Sequence, residues 1–507
     1  MYVREVKNRS GSISIQVISK AHGSYRVVKT LGSATCLQEI EILKQQAIQY
    51  ISDLTKQIEL FDSSEDKLID EFLSTLSNSS IRTVGPELIF GKIFDYIGFS
   101  SINEELFRHL VIARLAYPLS KLKTTEYLYR YQGVSIEVDT IYRFLDKLND
   151  KLKGQVEQIA FAHTNRVLKG DISVVFYDMT TLYFEASDED DLRKTGFSKD
   201  GKHQNPQIFI GLLVALGGYV IGYDIYEGNT YEGHTLIPFV EKISKKFNLG
   251  RPVIIADSGL LSKANIEALE KNGYEYVLGA RIKNETEGIK NQIIKIKYID
   301  GAIFRIEKEN KRRLIINYSD KRAAKDAYNR KRGLKRLEKR IKSGKLTKSN
   351  INNRGYNKYL KLEGDISIEV DYEKFKSDQV WDGLKGYITN TKLKDINVID
   401  NYKNLWHIEK AFRMSKTDLR IRPIYHYLRQ RIEAHICISF TAYTVYKELE
   451  RVLKNNNSSL SLKKAAEITH NIYQMNYQLP KSKKYKSKVL QMDTQQQELF
   501  KIINDNF

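Results

Sequence analysis

At 507 residues with a formal net charge of +20, the chain is too long for one ordinary domain, and its charge favours a polyanionic partner, most simply DNA or RNA. Hydrophobic residues (41%) are sufficient for a core, but no apolar run approaches the roughly 18–20 residues of a membrane span and the Met1 end shows no signal-peptide pattern. Cys36 and Cys437 belong to no CxxC or Cys/His cluster, which argues against a zinc finger or a disulfide scaffold and for a reduced, cytosolic setting.

The first 35 residues alternate apolar and polar: "SISIQVISK" and "SYRVVKTLG" read as strands around a turn near "AHGS". Helical spacing follows from Cys36, so residues 1–60 form a β-hairpin plus helix region. Residues 62–67, "DSSEDK", read as a linker. Residues 61–168 are helical and a candidate DNA-binding region. Within them, 124–148 fits a helix–turn–helix with Gly133 at the turn, or an ordinary packing hairpin.

A strand-rich block comes next. "DISVVFYD" (171–178) is a buried strand ending on Asp178, and "QIFIGLLVAL" (207–216) is apolar throughout, as a strand covered on both faces should be. "YVIGYDIYEG" (219–228) completes a hairpin after Gly217-Gly218. A helix, "HTLIPFVEKISKKF", leads to "RPVIIADSG" (251–259), a short strand ending on Asp257. The helix "KANIEALEKNG" and the strand "YEYVLGAR" close the block. The first three strands are predicted antiparallel and the later ones parallel through helical crossovers. Such a mixed α/β sheet fits a ribonuclease-H-like core.

Residues 321–348 carry thirteen Lys/Arg against two acids, Asp326 and Glu338. The spacing is helical, with basic residues nearly all round. So many like charges repel unless neutralised. The segment therefore reads as a phosphate-contacting helix, with Lys331, Arg332, Lys335 and Arg336 as DNA-binding candidates, against the alternative of a solvated surface helix. Strands resume at "DISIEVDY" and "GLKGYITNT".

Two strands thus end on aspartates. Side by side, Asp178 and Asp257 repel unless one is protonated or a cation lies between them. Mg²⁺, with its preference for oxygen ligands, is the common resolution, and two such ions serve phosphodiester chemistry. A third carboxylate is then needed. The predicted helix "NYKNLWHIEKAFRMSKTDLRIRP" offers Glu409 at the margin of an apolar face made by Leu405, Ile408, Phe412 and Leu419, with Tyr402, Arg413 and Lys416 along the same edge. Two polar loops stay open: Lys199, Lys202 and His203 either touch DNA or are solvated, and Glu227, Asn229, Glu232 and His234 read as turn and cap chemistry rather than as a metal site.

Tyr402-x2-Leu405-x3-Glu409-x6-Lys416 resembles the Y-x2-R-x3-E-x6-K signature of the IS4-type DDE transposases, with leucine at the arginine position. The blocks "GFSKDGKHQNPQIFIGLLV", "YEGNTYEGHTLIPFV", "VIIADSGLLSKANIEAL" and "LRIRPIYHYLRQRIEAHICISFTAY" resemble the IS1634 (IS1549-like) group. The resemblance spans about 171–443. It implies Asp178, Asp257 and Glu409 as catalytic, metal-holding acids, with Mg²⁺ as the ion, two of them, and Mn²⁺ as a substitute. It implies a ribonuclease-H-like core split into 169–282 and 386–450 by a β-rich, basic insertion at 283–385, followed by a helical tail at 451–507. Tyr402 and Lys416 are expected on DNA phosphates; the charge that Leu405 lacks is either supplied by Arg413 or missing. The implied protein cuts transposon ends and joins them to target DNA as a homodimer in a bacterial cytoplasm, associated with the nucleoid. The alternatives are a DNA-binding protein on an inactive nuclease fold and a haloacid-dehalogenase-type phosphatase. For the latter, "DMTTL" lacks the second aspartate of D-x-D-x-T.

Overall fold

Asp178 does not end its strand. In the computed structural model, the strand runs Val174–Tyr183, so Asp178 lies at its centre. The structure describes residues 1–21, 23–55, 64–199, 201–344, 346, 351–352, 355–363 and 367–507. The chain divides into two units, Met1–Ser80 with Asn476–Ser487, and Ile81–Met475 with Lys488–Phe507.

In the smaller unit, three antiparallel strands, Tyr2–Lys7, Ile13–Ala21 and Ser24–Ala34, form a sheet. The period-two pattern of the middle strand turns Ile15 and Val17 inward, against Ile40 and Ala47 of the helix Leu37–Thr55. The expected linker at 62–67 begins outside the described residues. Its remainder opens the helix Ser64–Ser74 instead, because Leu68, Ile69 and Phe72 repeat at helical spacing.

The larger unit begins with helices. Lys121–Tyr127 and Val138–Lys147 flank Gly133, which takes the left-handed conformation (φ +74°) that glycine adopts without a Cβ penalty. The helix Arg429–Asn455 is buried along most of its length. Even its Glu448 is inaccessible, its Oε2 3.3 Å from the Nε2 of an equally buried His163.

An eight-stranded mixed sheet carries the rest. Its order is Ile303–Glu307, Arg313–Tyr318, Leu384–Thr389, Tyr276–Ala280, Val253–Ala256, Val174–Tyr183, Gln207–Ala215 and Val220–Glu227. The central three, Tyr276–Ala280, Val253–Ala256 and Val174–Tyr183, are parallel neighbours, and every other pairing is antiparallel. Parallel pairing follows from the crossover helices Leu236–Phe247 and Lys263–Lys271, antiparallel pairing from short connections. Three strands from within or beside the 283–385 segment extend this sheet rather than standing apart from it.

Each sheet face has its own core. Val175, Tyr177 and Met179 pack with the crossover helices, while Val174, Phe176 and Leu182 pack on the other side with Ile408, Phe412 and the Arg429–Asn455 helix. By this alternation Asp178 belongs to the face covered by the helix that bears Glu409.

Candidate active site

The two aspartates meet where a parallel neighbour stops. Tyr177 pairs with Ala256, the last residue of its strand. Asp178 and Asp257 are therefore the next residues on adjacent strands, about 5 Å apart by strand spacing. Beyond this point the Asp178 strand pairs on one side only, with Gln207–Ala215. The notch explains how a carboxylate is tolerated in an apolar run: it lies where the sheet opens.

Both carboxylates are oriented by backbone amides. Asp178 Oδ1 accepts from the Met179 N–H at 2.7 Å, and Asp257 Oδ1 from the Gly259 N–H at 2.7 Å. Burial pushes the Asp178 carboxyl up to about 6. Lys199 opposes that rise, while the Asp257 charge and, more weakly, Glu232 add to it.

Lys199 supplies the local positive charge. Its Nζ stands 3.7 Å from Asp178 Oδ1 and 2.8 Å from Glu232 Oε1, and donates to the Met179 carbonyl at 2.6 Å. Burial works to lower its pKa, but Asp178 and Glu232 outweigh that and leave it raised. Lys199 and Glu232 come from two polar loops whose composition gave no sign that they meet. Glu232–His234 does form the expected turn, ahead of the Leu236–Phe247 helix, but Thr235 makes no side-chain cap there and the Glu232 carboxylate reaches across to Lys199.

Glu409 lies exposed in the first turn of the helix Trp406–Thr417. The single helix expected through Tyr402 and Glu409 is two: Asp395–Lys403 ends at Asn404 and the next begins after Leu405. Leu405, at the motif's arginine position, is buried in the core beside Ile408 and Phe412. Leu419 is also buried, beyond the helix end. Arg413 is exposed and Lys416 half-buried.

Tyr402 is only 6% exposed. Its ring meets Tyr387 edge-on at 4.9 Å and lies beneath the Lys385 ammonium at 4.4 Å. Its hydroxyl fills the space that a Cβ on Gly279 would need. Burial raises its pKa, with smaller contributions from Asp257, Tyr387, Glu409 and Asp178. One phenol therefore senses all three acids. Lys385 lies within electrostatic range of Glu409: burial and Arg322 lower its pKa while Glu409 opposes them. Nothing in the sequence marked Lys385, which reaches the site only because its strand joins the sheet.

Among the described residues, no three acidic, histidine or cysteine side chains stand close enough together to hold one ion. The structure brings Asp178 and Asp257 abreast and puts Glu409 on a helix over their face.

The basic helix spans Asp320–Lys342. It is not basic all round: Arg330, Gly333 and Leu337 form a buried face, and Arg330 pairs with Asp382, one N–H···O contact being 2.7 Å. Lys331, Arg332, Lys335 and Arg336 are exposed on the opposite side. Among the described residues, no helix is long and apolar enough to cross a membrane.

Residues 169–445 match the family described as "Transposase DDE domain". No curated protein matches the sequence. Among solved structures, a piggyBac transposase synaptic complex with hairpin DNA is 10% identical, with a TM-score of 0.38 over 76% of this chain and 78% of that one. A Mos1 transposase paired-end complex with left transposon end is 12% identical, with a TM-score of 0.16 over 31% of this chain and 53% of that one. A Mos1 mariner paired-end complex with Mn is also 12% identical, with a TM-score of 0.15 over 31% of this chain and 54% of that one.

Proposed function

The chain belongs to the transposase DDE-domain family, and from that premise we propose that it cuts DNA at the ends of an insertion sequence and joins them to target DNA with Asp178, Asp257 and Glu409 as its catalytic acids. The observation that carries this reading is the pair of aspartates abreast at the sheet notch, on the face covered by the Glu409 helix. We read the five strands from Val174 to Ala280 as a ribonuclease-H-like core, extended at one edge by an insertion.

The donor set fits a divalent cation. All the candidate ligating atoms are carboxylate oxygens, and burial, with the Asp257 charge adding to it, raises the Asp178 pKa. Asp178 and Asp257 would hold Mg²⁺, with Mn²⁺ as substitute, and Glu409 would join them by swinging its exposed side chain inward. Two such ions, when bound, activate a water and stabilise the leaving oxygen of a phosphodiester. The chain's own groups do the rest. The Met179 and Gly259 N–H groups fix the two carboxylates. Lys199 and Lys385 supply positive charge near Asp178 and Glu409, where a phosphate oxygen gains charge during transfer.

The motif roles need one revision. Tyr402 is too buried to grip a phosphate, so its part is to hold the Glu409 side of the site against Gly279 and Lys385. Leu405 serves the core, which leaves the phosphate charge to Arg413, one helical turn after Glu409. The exposed row of Lys331, Arg332, Lys335 and Arg336 extends the DNA surface. An IS4-type, IS1634-like enzyme acting as a homodimer on DNA in a bacterial cytoplasm is the assembly that this reading implies.

Nicking of supercoiled plasmid with and without Mg²⁺ tests it. The wild-type chain should cut only with metal. Asp257→Asn should lose at least about a thousandfold of that rate while keeping its gel-shift affinity. Metal-independent cutting, or full activity in Asp257→Asn, would sink the proposal.

A further inference from the structure

A second cationic centre lies away from the three acids. A cavity of about 380 Å³ opens between the 114–123 segment and the arm 420–426. Five of its lining residues are Lys or Arg and none is Asp or Glu. Two of those cations are deeply buried: Arg114 is 6% exposed and Lys121 5%. Among the described residues neither has an acidic partner; the Arg114 guanidinium makes only a long 3.4 Å bond to the Arg420 carbonyl. His435 also lines the cavity. Its Nε2–H donates to the Ile421 carbonyl at 2.9 Å, and its buried Nδ1 has no partner.

Two cations in one cavity without a counter-charge are costly, through desolvation and mutual repulsion. Burial and mutual repulsion hold the Lys121 pKa well below its ordinary value, and burial holds Arg114 down. A bound anion would relieve both. The fork of Arg114 and the point charge of Lys121 suit a tetrahedral oxyanion, and the cavity volume admits one with its substituents.

The location narrows the source. Arg422, on the cavity wall, lies over the Tyr183 ring at 5.4 Å, and Phe184 bridges to Ile424 beside it. Tyr183 ends the strand that carries Asp178, five residues on. From Asp178 to Tyr183 the strand rises on the order of 17 Å, about five base pairs of duplex, and the cavity wall at Arg422 lies beyond that. We infer that the cavity lined by Arg114, Lys121 and His435 is a phosphate-binding site, filled by a DNA backbone phosphodiester a few base pairs from the reacting one. A free phosphate ion presents the same oxygens, so the shared chemistry is the phosphate group. The DNA source rests on the proposed function; the anion site does not.

The test uses the full-length chain. The wild type should melt a few degrees higher in inorganic phosphate than in chloride of equal ionic strength. Lys121→Met and Arg114→Gln, on separate elements, should each abolish that rise. Lys121→Met should also melt higher than wild type without phosphate, because an unpaired buried cation is gone. In DNA titrations across salt, both variants should lose affinity and reduce the log–log salt slope by about 1. A lost thermal response with an unchanged slope supports the site with free phosphate as its ligand. No phosphate response in the wild type, together with wild-type DNA affinity and slope in both variants, overturns the inference. A wild type that binds no DNA but shows the phosphate response would fail the proposed function instead, leaving the anion site standing.

Discussion

Lys199 holds its ammonium 3.7 Å from the Asp178 carboxylate, with Glu232 on its other side at 2.8 Å. A protein cation thus occupies the neighbourhood that a divalent ion would enter if Asp178 holds one as proposed. Lys199→Met should tighten Mn²⁺ binding at least about tenfold, since an interaction at this distance is worth about 1 kcal/mol in water and about 4 kcal/mol at an effective dielectric of about 20. Isothermal titration calorimetry reads this directly. Unchanged or weaker Mn²⁺ binding in Lys199→Met would show that the lysine does not compete for Asp178.

The raised Asp178 carboxyl gives a pH signature. Its folded pKa, about 6, lies above the unfolded value of 3.8. Between about pH 4 and pH 6 the folded state keeps a proton that the unfolded state has lost, so stability falls as pH rises through that window. About 3 kcal/mol is the upper bound for the loss. Asp178→Asn cannot titrate and should melt above the wild type at pH 7.5 without metal, with a flatter pH profile from 4 to 6. Parallel profiles would mean that Asp178 ionises normally.

Gly279 is held open by Tyr402. A Cβ there would collide with the phenol hydroxyl and come within 3.1 Å of the Ser258 amide. Gly279→Ala should cost about 1–3 kcal/mol. Tyr402→Phe, which removes the colliding oxygen, should recover part of that cost when the two are combined. Simple additivity in denaturant melts would refute the contact.

The basic helix separates two roles by face. Replacing Lys331, Arg332, Lys335 and Arg336 together by Gln should leave melting nearly unchanged and cut the salt slope of DNA binding by up to about 3–4. Arg330→Met leaves the Asp382 carboxylate without its partner and should cost about 2–4 kcal/mol. Equal effects of the two changes on stability would contradict the division into faces.

Much of this was legible in the chain. The order and direction of the core strands followed from apolar runs, turn glycines and the length of each connection, as Gln207–Ala215 and its neighbours show. The place of Asp178 within its strand was not, because the strand continues past it only through pairing with Gln207–Ala215, after the Val253–Ala256 neighbour has stopped. The break at Asn404–Leu405 was hidden because both halves keep helical periodicity. Arg330 was indistinguishable from its exposed neighbours, since only its partner Asp382 marks it as internal. Lys199, Glu232 and Lys385 sit in stretches that propensity reads as loop or strand surface, and tertiary contacts alone bring them to the acids.

The strand Leu384–Thr389 returns the chain from its long excursion by pairing directly against Tyr276–Ala280. The excursion is therefore no removable cassette. Excising residues 283–385 would remove Arg313–Tyr318, bare the row of backbone donors and acceptors that 386–389 presents to it, and take Lys385 out of range of Glu409 in the same cut. The basic helix Asp320–Lys342 follows directly on Arg313–Tyr318, so a continuous hydrogen-bonded ribbon of strands joins it to the notch between Asp178 and Asp257.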